Sequence, residues 1–103
     1  MEIIKKLSDM IKEEIGDANK YAKCALVNKD SDKILSDTFY TLANEELKHM
    51  DMLHTQVTRI IADYRKTKGD PPEGMMAVYD YLHKEQIDAV KDVKILLAMY
   101  KEG

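Results

Sequence analysis

Cysteine is almost missing from this chain: Cys24 stands alone, so one copy can build neither a disulfide framework nor a thiolate zinc site, and Cys24 reads as a small helical core residue. Glycine and proline are scarce as well, four and two among 103 residues. With so few helix breakers, the chain reads as one helical domain spanning residues 1–103. A surplus of positive charge is lacking too. The formal net charge is -3 with both signs interspersed, which argues against nucleic acid or an anionic membrane surface as partner, since both require a basic excess. The one basic cluster, Arg59, Arg65, Lys66 and Lys68, mostly closes a helix and reads as solvated surface. No apolar run approaches the roughly 18 residues of a membrane span, and no signal-peptide pattern opens the chain. A cytoplasmic protein is expected.

What is present is amphipathic periodicity. Helices are predicted at about 2–28, 31–67 and 72–102. In the first, Ile4, Leu7, Ile11, Ala18, Tyr21 and Ala25 recur at helical spacing with Glu14 standing in the same stripe. Gly16 weakens that helix by roughly 1 kcal/mol relative to alanine, a cost that close helix packing would explain. A turn at Asn28-Lys29-Asp30-Ser31-Asp32 follows, with Asp30 or Ser31 expected to cap the next helix. Leu35, Phe39, Leu42, Leu53 and Ile60 then mark an apolar stripe whose interior gaps are filled by Glu46 and His49. Cations before Gly69 end the second helix, and Asp70-Pro71-Pro72-Glu73 restarts the chain with a cap, proline in the first turn and an acid behind it. Short connections force neighbouring helices antiparallel, so the fold class is all-α, three long helices running up-down-up. At about 36 residues the second helix is roughly 54 Å long against roughly 40 Å for the first. Its far end should overhang, with the start of helix three available to cover it. Helix three is apolar on more than one side, from Met75 and Tyr79 to Leu97 and Tyr100. That excess predicts self-association, and its methionines would also suit a hetero-partner.

A carboxylate in a core stripe needs something to neutralise it, because burying it unpaired costs several kcal/mol. Glu46 and His49 are three apart, a spacing that lets both reach one metal ion. Counted outward from the first turn, Glu14 lies about fifteen residues back, and the pair lies fifteen to twenty residues on, level with it to within about one helical turn. Glu14, Glu46 and His49 are therefore the candidate metal ligands. Tyr21 and Tyr40 read as core, and Glu45 as solvated, since it points about 100° away from Glu46. His54 reads as surface or interface and His83 as a subunit contact titrating near neutral pH.

Glu14 with Tyr21 seven residues on, followed by Leu42-Ala43-Asn44-Glu45-Glu46-Leu47-Lys48-His49, resembles the first two helices of the rubrerythrin branch of the ferritin-like superfamily. The likeness covers residues 1–65. It implies a four-helix bundle with a dinuclear iron or manganese site, which takes one Glu from each of two helices and a Glu-x-x-His pair from each of the other two. Carried over, Glu14 is the single-helix carboxylate, Glu46 the bridging one and His49 the terminal imidazole. The chain departs from the pattern in having no Glu-x-x-His after residue 65, no fourth helix and no long crossover. Glu85-x-x-Asp88-Ala89-x-Lys91 echoes Glu14-x-x-Asp17-Ala18-x-Lys20, yet level counting puts Asp92, not Glu85, opposite the motif. Both read as solvated or interfacial. Two copies of the first hairpin would supply the full ligand set, so the resemblance implies a homodimer or higher homo-oligomer that oxidises ferrous iron or reduces a peroxide. The competing expectation is a non-catalytic assembly or adaptor protein that keeps the hairpin as scaffold.

Overall fold

The computed structural model describes residues 2–102, and among them the only regular elements are three helices: α1 (Glu2–Asn28), α2 (Lys33–Lys68) and α3 (Glu73–Glu102). The boundaries fall where chain-breaking chemistry puts them. Lys29–Ser31 make the reversal, and Asp32 is the first residue free to become extended, at φ -151 and ψ 90. Its carboxylate accepts from the Leu35 amide at 3.1 Å, so Asp32, not Asp30 or Ser31, caps α2. At the far end Gly69 takes φ 81 and ψ -164, a region open essentially to glycine alone. The Pro72 carbonyl accepts from the Met76 amide at 3.1 Å. Both prolines therefore precede the first turn of α3 instead of occupying it, and Asp70 does not cap the helix.

The α1/α2 seam is lined with small side chains. Ala18, Ala22 and Ala25 on α1 and Ser36 and Ala43 on α2 are at most 1 % exposed, which lets the two backbones approach closely. At one end the buried Ser36 hydroxyl donates to the Ala25 carbonyl at 2.6 Å. This bond satisfies a hydroxyl that would otherwise be costly to bury and fixes the register. Moving outward equally on both helices from it brings Glu14 level with Leu47, between Glu46 and His49. Ile4, Ile11 and Ile15 with Val57 and Ile61 fill the wider half of the seam.

The expected core stripe on α2 is displaced. Leu35 is exposed, and Phe39, Leu42, Leu53 and Ile60 are only half-buried; the core centre belongs to Ser36, Ala43, Val57 and Ile61. Large side chains at the edge of a seam mimic a core stripe when the centre is built from small ones. Glu46 and His49 consequently stand at the rim of the core and not within it.

The third helix also differs from expectation in what it covers. It lies along α1, where the Gln86 side-chain amide donates to the Ser8 carbonyl at 3.2 Å, and it meets α2 sparsely, through ring stacks of Tyr40 on Tyr100 at 4.9 Å and His54 on His83 at 4.8 Å. His54 and His83 thus face each other within one chain. The last turns of α2 stay exposed apart from the half-buried Tyr64, and the 55 × 19 × 18 Å envelope takes its length from that helix. Gly16 has no atom within 4 Å of where a Cβ would stand. Close packing is therefore not what its helix cost of roughly 1 kcal/mol secures.

The C-terminal end of α3 is tied to the first turn. Lys29 Nζ donates to the Tyr100 carbonyl at 2.6 Å, the Tyr100 hydroxyl donates to Asp37, and Lys33 Nζ reaches Asp37 at 2.7 Å and the Tyr100 hydroxyl at 3.0 Å. The Lys33 and Tyr100 hydrogen bonds hold the Asp37 carboxyl below its ordinary range. Tyr100→Phe keeps the stack on Tyr40 and the Lys29 bond to the backbone carbonyl but removes the hydroxyl that Asp37 and Lys33 share, and should cost about 1 kcal/mol, read as a lower urea midpoint at unchanged m-value. At the other contact, burial first and the His83 ring second push His54 below its ordinary 6.5, with Asp51 pulling the other way. A depressed histidine contributes stability that is present above its unfolded value and lost as pH falls through the folded one. Between pH 7 and pH 5 the urea midpoint of the wild type should therefore shift downward relative to that of His54→Phe, the difference being this histidine's contribution.

Candidate metal centre

Glu14 and Glu46 project from facing levels of α1 and α2, and His49 follows Glu46 by one turn, so the register fixed by Ser36 and Ala25 brings all three together. The His49 Nδ1 lies 3.5 Å from Glu14 Oε2 and 3.6 Å from Glu46 Oε1. One donor atom from each residue falls within 4.8 Å of the others, the one such group among the described residues. The site is a rim and not a dry pocket. Glu46 is 17 % exposed and Glu14 26 %, whereas His49 is 54 % exposed.

The rim faces away from α3. Lys12 and Gly16 line the α1/α3 side, and each lies two residues from Glu14, which at about 100° per residue puts them about 160° around the helix from it. No α3 residue joins the cluster. Glu85 and Asp92 lie on the opposite flank, in the α1/α3 trough, and Glu45 is exposed. Tyr21 is stacked on Phe39 at 6.2 Å and Tyr40 on Tyr100, so both rings serve as packing.

The electrostatics are those of two crowded carboxylates. Glu46 is pushed up to about 7, first by the hydrogen bond that its protonated form shares with Glu14, then by burial and the Glu14 charge; His49 opposes the shift and Asp17 adds to it. Glu14 Oε2 is buried and has no hydrogen-bond partner, an orphaned acceptor of the kind a cation would satisfy. Two carboxylate oxygens and an imidazole nitrogen are a donor set suited to iron, manganese or zinc. The residues present therefore fit a metal ion on distance, on charge and on the unmet demand of one buried oxygen. Asp17 belongs to this field although it stands outside the apolar stripe. The i, i+3 spacing from Glu14 is the signal that marks it.

Comparison with protein-family models, with curated proteins and with solved structures finds no match for this chain. The chemistry of the rim must carry the functional reading.

A raised carboxyl stabilises the fold below its unfolded value of 4.5 and ceases to do so as pH rises through the folded value of about 7. With a chelator present, thermal stability should fall across that window, opposite in sign to the His54 effect. Glu46→Gln should flatten this part of the profile, and a slope that survives the substitution would locate its source elsewhere.

Proposed function

We propose that this chain is a cytoplasmic, homo-oligomeric metal-binding protein related to the rubrerythrin branch of the ferritin-like superfamily. Glu14, Glu46 and His49 hold iron or manganese, and two copies pair through their open rims to assemble a dinuclear site. The observation that carries this reading is the convergence of the three ligand atoms within 4.8 Å from two different helices, around a buried carboxylate oxygen that has no hydrogen-bond partner. The pairing is supported by what surrounds them. Ile3, Met10 and Leu35 are at least 40 % exposed, and with the half-buried Phe39 and Leu53 they put an apolar border around the rim on the face that α3 leaves open.

A bound ferrous or manganous ion with open coordination positions would supply redox chemistry toward oxygen or a peroxide. The chain's own residues contribute position and charge. Glu46, whose proton is favoured by the crowding beside Glu14, would give it up to a cation, and the two carboxylates would offset the ion's charge. His49 fixes one side of the coordination while its exposure keeps the site reachable from solvent.

The second reading is a helical assembly or adaptor protein that uses the hairpin as scaffold. The exposure of His49 favours it, since a half-solvated imidazole needs no ion to satisfy it.

Protein purified from iron-supplemented cells should carry about one metal ion per chain, with a light-scattering mass at least that of a dimer. Glu46→Ala and His49→Ala should each lose the metal, at least tenfold in affinity for added Mn²⁺. A metal-free protein whose stability does not change in either variant would establish the scaffold reading instead.

A further inference from the structure

α3 meets α2 at two places held by different chemistry. Toward its C-terminal end the Tyr100 hydroxyl is bound by Asp37 and Lys33. Toward its N-terminal end the contact is a stack of rings: His83 lies on His54 at 4.8 Å with 13° between the planes, and Tyr79, one turn before His83, lies on it at 5.7 Å. The Nδ1 atom of His83 is buried and has no hydrogen-bond partner. A neutral imidazole carries a proton on one nitrogen only, but an imidazolium carries one on each. A charged His83 therefore makes that buried atom a donor with no acceptor, which is costly for as long as the ring stays in place. Two charged rings at this separation would also repel each other.

Little around the pair offsets those charges. Burial and the His83 ring hold His54 below its ordinary value, with Asp51, one turn earlier on α2, opposing them. On α3 the neighbours are Tyr79, whose ionisation is disfavoured by burial and by Asp80, and the exposed Asp80 and Lys84. On α1, Glu2 and Lys5 line the groove shared with α3 and Lys6 is exposed; none of them contributes to the field at His54.

We infer that the His54–His83 stack is an acid-released clasp that holds the first half of α3 against α2. Uncharged, the rings close the side of the core that holds Val57 and Ile61, the buried residues one and two turns along α2 from His54. Charged, as histidines become between pH 7 and pH 5, they recover water only by parting. The non-helical connection at residues 69–72 lets this end of α3 move without unwinding either helix. The Gln86 bond to the Ser8 carbonyl of α1 marks where the loosening stops. The Tyr100 end does not follow, because the Lys33 and Tyr100 hydrogen bonds favour the ionised Asp37 carboxylate and hold it below its ordinary range. Acid therefore opens one end of the helix and spares the other.

The test is amide hydrogen exchange of the full-length protein at pH 7.4 and pH 5.0, corrected for the intrinsic pH dependence of exchange, with a chelator present so that the metal rim stays empty. Protection over residues 73–85 should fall about tenfold at the lower pH, and that over residues 93–102 less than about twofold. His83→Phe keeps a ring in the stack but takes up no proton, and should abolish the difference, while His54→Phe should reduce it by removing one of the two charges. Four results overturn the inference: equal protection over residues 73–85 at the two pH values, a loss that runs equally through both ends of α3, a loss undiminished in a folded His83→Phe, or a loss abolished by Glu46→Gln, which would trace it to the rim. The comparison of the two ends needs no variant, so misfolding of a substituted chain does not leave the claim open.

Discussion

The close approach of α1 and α2 over alanine and serine is the constraint on which the rest depends. Ala18, Ala22 and Ala25 meet Ser36 and Ala43 with almost no exposure, and side chains this small give up burial area for proximity. The Ser36 hydroxyl then serves as a register pin, because a buried donor satisfied at one backbone carbonyl has no comparable partner a turn away. A slip of one turn would move Glu14 about 5 Å along the seam and dissolve the cluster with Glu46 and His49. Packing of the least conspicuous residues thus sets the geometry of the most reactive ones.

That dependence explains which parts of the structure are legible in the sequence. Helix number and the hairpin follow from periodicity and from Gly69, Pro71 and Pro72, and the shared level of Glu14, Glu46 and His49 follows from counting outward through the turn, because rise per residue does not depend on side-chain detail. Rotation does depend on it. Leu35, Phe39, Leu42, Leu53 and Ile60 look like the core of α2, yet they border it, since hydrophobicity weights large residues and the true centre holds Ser36 and Ala43. A tilt of that size is enough to turn a buried ligand set into a half-open rim. The seat of α3 was less legible still. Its apolar residues surround the helix, so no single face selects a neighbour; the Gln86 amide ties its middle to α1, while the cluster around Tyr100 ties its end to the start of α2. Neither feature has a periodic signature. Asp17 was hidden for a related reason, as an exposed acid has nothing in the hydrophobic pattern to mark it.

The two flanks of α1 carry opposite solutions to the same electrostatic problem. On the α2 side, acids converge, share a proton and leave an oxygen unsatisfied. On the α3 side they are dispersed over an apolar floor. No residue belongs to both groups, so the crowding of charge on one side is independent of the other.

The hairpin of α1 and α2 holds its core largely within itself, and α3 is added along one side. Because its contacts join segments that are consecutive in the chain, loop closure costs little. The seam can therefore close before α3 has docked. Until Tyr100 latches onto the first turn, the hairpin carries a bare apolar flank on α1, and that interval is when association with the wrong neighbour is easiest.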